Sequence, residues 1–228
     1  MATGAAATLR PVFSAHRREP SALLLAGQLV GVLLYPFMEG SDAGRALFSV
    51  FGIAILGLVV LAVRKTPGLT WVAVVLGLPA TILLLAQAIS GNDGLLPYSS
   101  ALEAALYFYA GGAMVAYMLA DRVITRDELY AVGATFTLVA WAFAYTFIVC
   151  QAIYPGSFTA ADPAGDRSWM ELLFLSFTTL SSTGLSDVVP VQAQARSLVM
   201  IEQLAGLAYL AIVVSRLVAL TVHRPDNA

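Results

Sequence analysis

Residues 169–190, WMELLFLSFTTLSSTGLSDVVP, decide the reading of the fold, because they are too short to cross a bilayer and too apolar for an ordinary loop. Ser168 followed by Glu171 makes the S-x-x-E capping box, in which each side chain serves a backbone N–H at a helix start. The pattern predicts a helix from Trp169 to Leu180. At 1.5 Å per residue that helix reaches about 18 Å, roughly half of a bilayer. Full-length apolar segments at 129–152 and 197–220 flank it, so the chain is expected to dip into the membrane and return. The returning stretch is Ser181, Ser182, Thr183, Gly184, Leu185, Ser186 and Asp187. Non-helical backbone at membrane depth is tolerated only where protein buries it or water reaches it, so a water-filled path is implied.

The rest of the chain supports a membrane setting. Hydrophobic residues make up 59% and charged residues 11%, with a mean hydropathy of +0.82. That excludes a soluble globular domain, for which about 25% charged residues is usual. Apolar runs at 21–38, 46–63, 69–90 and 98–120 join 129–152 and 197–220 to make six expected spans. Gly57 and Pro79 inside them are acceptable in lipid, where neighbouring helices satisfy the freed backbone groups. The first run is long for a signal sequence and is followed by Glu39 and Gly40, so it reads as an uncleaved span. A single cysteine, Cys150, rules out an internal disulfide.

Orientation follows from the short loops. Arg10, Arg17, Arg18, Arg64, Lys65, Arg122, Arg126 and Arg224 fall on one side of a six-span chain, and Arg45, Arg167 and Arg196 on the other. The richer side is cytoplasmic by the positive-inside rule, which puts both termini on the cytoplasmic side of the cell membrane and lets the re-entrant stretch enter from outside. Tyr35, Tyr98, Tyr154 and Trp169 then sit near the outer boundary, as interfacial aromatics.

Residues 177–190, FTTLSSTGLSDVVP, resemble the pore loop of tetrameric potassium channels, whose pattern is T-x-T-T-V-G-Y-G-D followed by a proline. Laid on it, Ser182, Thr183, Gly184, Leu185 and Ser186 fall on the T-V-G-Y-G filter and Asp187 on the acid at its outer end. Residues 195–218, ARSLVMIEQLAGLAYLAIVVSRLV, are similar to the inner helix of bacterial members of that superfamily, with Gly206 at the hinge glycine. The likeness covers residues 129–220. It implies an all-α membrane protein with six transmembrane helices, and a re-entrant pore helix and filter loop between the fifth and sixth. It also implies assembly as a fourfold homotetramer in a lipid bilayer. The parts would be a tail at 1–20, four accessory helices over 21–127, a pore domain over 128–222 and a tail at 223–228. Within the pore domain the pore helix is 169–180, the filter 181–187 and the inner helix 195–222. A local likeness to the S-T-G-x-S loops of Trk/Ktr-type potassium transporters also exists, but those proteins carry four loops in one chain.

Backbone carbonyls replace an ion's hydration shell when several subunits present them around one axis. The carbonyls of Ser182, Thr183 and Gly184 are the expected monovalent-cation site, within a conducting filter running from Ser181 to Ser186. The C-terminus of the short helix carries about half a negative charge and favours a cation. An Asp187 ring at the outer mouth would attract cations again. Serines and threonines alone would read as caps and interhelical hydrogen bonds. Gly184, Asp187 and Pro190 in register favour the filter. A left-handed Ser186 would cost about 1–2 kcal/mol, and Leu185 lacks the tyrosine hydroxyl that braces the family's filter. The expectation is a wider outer filter that passes K+ or Na+ with weakened or lost potassium preference.

The fourth span holds no arginine and so is no voltage sensor, since each charge crossing 100 mV is worth only about 2.3 kcal/mol. It carries Glu103, read as a carboxylate near the outer interface. Gly206 offers either a bend point, at about 1 kcal/mol of helix propensity relative to alanine, or a close-packing surface. Glu202, one turn earlier, is expected to pair with Arg196 or to line the outer side of the bundle, and Arg216 and Arg224 to anchor the helix at the interface. Gly184-Leu185-Ser186 matches the Gly-x-Ser of intramembrane serine proteases, but no span holds a histidine or lysine to act as base, so no enzyme is expected. No cofactor or nucleic-acid partner is expected. The alternative to a channel is a non-conducting channel-like scaffold or sensor.

Overall fold

A computed structural model describes residues 20–38, 42–64, 66–120, 126–160 and 165–222. The tail arginines Arg10, Arg17 and Arg18, the loop residues Lys65 and Arg122, and Arg224 lie outside the described residues. So do residues 1–19 of the expected tail at 1–20, whose last residue Pro20 begins the first helix, and the expected tail at 223–228.

The described residues fold into helices α1 (Pro20–Met38), α2 (Asp42–Val63), α3 (Thr70–Ser90), α4 (Leu96–Leu119), α5 (Arg126–Ile153), α6 (Trp169–Leu180) and α7 (Ala193–Val222). Five of them, α1, α3, α4, α5 and α7, are long and apolar enough to cross a membrane, and α2 contributes the shorter apolar stretch Leu47–Val63. Local chemistry sets several ends. Proline occupies the first position of α1 and stands within the first two positions of α4, where its missing N–H has no intrahelical use. α3 stops at Gly91, which turns left-handed at φ 61° and donates its N–H to the Gln87 carbonyl.

α5 is the central post, packed against α1, α4, α6 and α7. Its facing positions are small: Ala131, Ala134, Ala140, Ala142 and Ala144 are buried, and they let backbones approach closely without a solvent-driven core. At one end, Asp127 in the first turn of α5 accepts hydrogen bonds from Ser21 N (3.2 Å) and Ser21 Oγ (3.0 Å) of α1 and from the Tyr117 hydroxyl (3.4 Å) of α4. That carboxylate aligns three helices. At the other end a ring cluster closes around Trp169, the first residue of α6. Tyr35 of α1, Phe48 of α2 and Trp141 of α5 lie 5.1, 5.2 and 5.3 Å from it, centroid to centroid.

Two sequence expectations change here. Trp169 is buried among rings from three helices and is not an interfacial anchor, whereas Tyr98 and Tyr154 are exposed. Glu103 is only 2% exposed, inside the α4–α5 interface, because Tyr145 of α5 supplies it with a hydrogen bond that an interfacial position would not require.

Candidate functional site

The site is the segment between α5 and α7 that holds α6 and the loop after it. Its two ends are brought together by a short antiparallel ladder, β1 (Phe158–Thr159) with β2 (Val189–Pro190), in the register Phe158 to Pro190 and Thr159 to Val189. Val191 N extends it with a hydrogen bond to the Ser157 carbonyl at 2.9 Å. The chain therefore leaves and returns at nearly the same place.

Descent begins at a fully formed capping box. The Ser168 side chain accepts from Glu171 N at 3.3 Å, and Glu171 Oε2 accepts from Ser168 N at 2.6 Å. Arg167 reinforces it by an ion pair to Glu171 Oε1 at 3.3 Å. Gln151, in the last turn of α5, grips the Arg167 backbone from both sides: Arg167 N donates to Gln151 Oε1 (3.0 Å) and Gln151 Nε2 donates to the Arg167 carbonyl (2.9 Å). Neither Gln151 nor the backbone of Arg167 stood out in the sequence. A glutamine inside an apolar span was the available signal, but its partner lies 16 residues away across a loop.

α6 ends in a tight reversal. Ser181 N donates to the Phe177 carbonyl (3.1 Å), Ser182 N to Thr179 (3.0 Å), and Thr183 N and Gly184 N both to Thr178 (2.9 and 3.0 Å). The Thr183 hydroxyl also reaches the Thr178 carbonyl at 3.2 Å and lies 3.0 Å from the Ser181 hydroxyl. So the carbonyls of Phe177, Thr178 and Thr179 are taken up by the loop's own amides.

Two residues of the loop have left-handed backbone, Ser182 (φ 61°) and Gly184 (φ 68°). Ser182 is the only described residue other than glycine with positive φ, and the amide bonds on either side of it offset a strain of about 1–2 kcal/mol. Ser186 avoids that conformation, and its hydroxyl accepts from Val188 N at 3.1 Å. With amides 182–184 turned towards α6, no described residue donates a hydrogen bond to the carbonyls of Ser182, Thr183, Gly184, Leu185 or Ser186. Ser182, Thr183, Gly184, Leu185 and Asp187 are exposed, Leu185 to 76%.

Behind the loop, α7 holds α6 at two points. Gly206 lies against the end of α6 so closely that a Cβ there would sit 2.1 Å from the Leu180 carbonyl oxygen. One turn earlier Glu202, fully buried, brings Oε1 within hydrogen-bond reach of the Ser176 hydroxyl, which also lies 2.8 Å from the Ala140 carbonyl of α5, so the two acceptors share one serine proton. The three elements of the hairpin thus meet at Ser176. Glu202 does not pair with Arg196, whose Nε donates to the Pro190 carbonyl. Arg216 likewise does not reach for the interface. It forms an ion pair with Glu128 of α5 at 2.9 Å, with side chains 15% and 5% exposed.

This arrangement of outer helix, short capped helix, reversed loop and inner helix is where comparison with known proteins bears. Residues 133–223 match the family model described as Ion channel. The match runs from the middle of α5 through the loop to just past the described end of α7, and leaves α1 to α4 outside it. Over that segment, less than half of the chain, the protein is similar to ion channels of the potassium-channel superfamily, which are membrane proteins and not enzymes. No curated protein and no solved structure matches the chain. The channel segment coincides with the elements that hold Ser181–Asp187 in place, so the loop geometry and the family match concern the same residues.

Proposed function

We propose that four copies of this chain surround a central axis and conduct monovalent cations past the carbonyls of Ser182, Thr183 and Gly184. The observation that carries the reading is the sorting of the loop backbone, with its amides engaged by Thr178 and Thr179 and its carbonyls without donors. Oxygens in that state are free to replace an ion's hydration shell. One chain presents only one such strand, so a cage of oxygens requires several copies, and closed cyclic symmetry is the usual solution. The exposed apolar side chains of α7, among them Met200, Ile201, Leu204 and Leu207, together with Leu185 and Phe174, are the surface a neighbouring copy would cover.

Selectivity for potassium is weakened in this reading. Leu185 points its exposed side chain away from its own chain and has no hydroxyl with which to brace the loop. The Ser186 hydroxyl accepts from Val188 N, so the outer end of the loop closes as a local turn. Asp187, exposed beside it, supplies the acidic mouth. Six spans, termini inside the cell and the plasma membrane as location complete the proposal, on the strength of the apolar helices and the loop charges.

The test is a bilayer recording of the purified chain with potassium on one side and sodium on the other. The expected reversal potential lies well short of the potassium equilibrium value. Reversal at that value overturns the selectivity, and silence in a tetrameric preparation points to the non-conducting scaffold instead.

A further inference from the structure

Three helices meet behind the loop at a point where the hydrogen-bond donors fall one short. Ser176 Oγ of α6 lies 2.8 Å from the Ala140 carbonyl of α5 and within hydrogen-bond reach of Glu202 Oε1 of α7. A serine carries one proton, and a backbone carbonyl can only accept. With Glu202 as a carboxylate, two acceptors share that proton. Its other oxygen, Oε2, is buried with no hydrogen-bond partner among the described residues, and would carry unmatched charge. Glu202 is fully buried, where a charge is costly unless it is paired and hydrogen-bonded on every side.

Among the described residues no cation pairs with it. α7 packs against α5, α6 and β2, and the basic residues of these elements are Arg126, Arg196 and Arg216. Arg196 donates to the Pro190 carbonyl, and Arg216 pairs with Glu128. Arg126 stands exposed at the start of α5, 14 residues before Ala140 and so about 21 Å along the helix. A proton on Glu202 Oε1 completes the count. The carboxyl then donates to Ser176 Oγ and Ser176 donates to the Ala140 carbonyl. Oε2 is left as a neutral carbonyl oxygen, which costs less to bury without a partner than a charged one.

We propose that Glu202 works as a neutral acid whose proton closes a one-way hydrogen-bond chain from α7 through α6 to α5 and so positions the loop. Two and three residues after Ser176 stand Thr178 and Thr179, whose carbonyls hold the amides of Ser182, Thr183 and Gly184 at 2.9 to 3.0 Å. A rotation of α6 would carry those carbonyls, and the loop with them. The chain fixes α6 against both neighbours, and Gly206, one turn further along α7, fixes its end at Leu180. Glu202 is therefore a positioning residue. Its consequence for flux rests on the proposed conduction, whereas the proton itself does not.

The test begins with infrared difference spectra of the full chain in detergent at neutral pH. Wild type minus Glu202→Gln is expected to show the loss of a carboxylic-acid carbonyl band. Ser176→Ala, which removes the acceptor, is expected to shift that band to higher frequency, and it alone decides should Glu202→Gln fail to fold. Proteoliposome flux is the second readout. Glu202→Met, apolar and of similar size, is expected to lower flux several-fold, and Glu202→Gln, whose amide can donate to Ser176, to restore most of it. A carboxylate band lost in place of the acid band overturns the proposal, and so does an acid band that Ser176→Ala leaves unmoved. Flux as high in Glu202→Met as in the wild type, or as low in Glu202→Gln as in Glu202→Met, also overturns it. A wild type that is silent in liposomes yet shows the acid band upholds the proton and overturns the conduction.

Discussion

Replacing Gly206 by alanine separates two roles for that residue that share a location and differ in sign. The added Cβ would lie 2.1 Å from the Leu180 oxygen, 2.8 Å from its carbonyl carbon and 3.0 Å from its Cα. Even a close Cα–H···O contact keeps carbon and oxygen about 3.3 Å apart, so α7 must retreat from α6 by about 1 Å. The atoms met are backbone at the end of α6 and cannot rotate aside, which places the penalty near the upper end of the overpacking range, about 3 kcal/mol. Alanine returns about 1 kcal/mol of helix propensity. The net loss is about 2 kcal/mol per chain, or about 4–8 °C in unfolding temperature for a chain of this length. The same retreat stretches the Glu202–Ser176 hydrogen bond one turn away, so ion flux should fall as well. The assay is thermal unfolding in detergent beside a proteoliposome flux measurement on the same preparation. A hinge whose only task is to bend predicts the opposite thermal result, because the helix gains propensity and loses nothing. An unfolding temperature equal to or above that of the wild type would falsify the close-packing account.

Two further predictions concern the supports of the hairpin. Ser168→Ala removes one half of the capping box and should lower stability by about 1 kcal/mol, read as a small drop in unfolding temperature, whereas Ser168→Asp, which can accept the same N–H, should restore most of it. Arg216→Ala breaks the Glu128 ion pair from one side only and should lower stability by about 3 kcal/mol, the low end for a buried pair because the arginine is 15% exposed. The double variant Glu128→Gln with Arg216→Met should recover a large part of that loss in the same melting experiment. If the double variant is no better than the single, the pair is not what holds α5 to α7.

Helices announce themselves along this chain because each is a local event. Apolar runs of membrane length and Ser168 three residues before Glu171 are patterns within one turn or one span, and α1 to α7 formed where such patterns stood. The likeness of residues 177–190 to a potassium-channel loop was also visible, because a filter is a contiguous stretch and its chemistry lies in one short run of residues. The family match over 133–223 bears on that same run.

Partnerships between distant residues were not visible. Glu202 could be singled out as an acid in an apolar helix, yet Ser176 is 26 residues away in sequence and Arg196 looked the nearer choice. Glu103 looked interfacial from its place near the start of α4, and only the approach of α5 made it an interior residue beside Tyr145. Trp169 read as a membrane anchor until rings from α1, α2 and α5 closed on it. Hydropathy and capping report what a segment prefers on its own, so the sequence by itself determined which stretches are helical and apolar and where the loop turns back. Which polar groups meet, which oxygens stay free and which glycine is pinned against a carbonyl depend on how close two helices come, and that distance belongs to the packed structure alone.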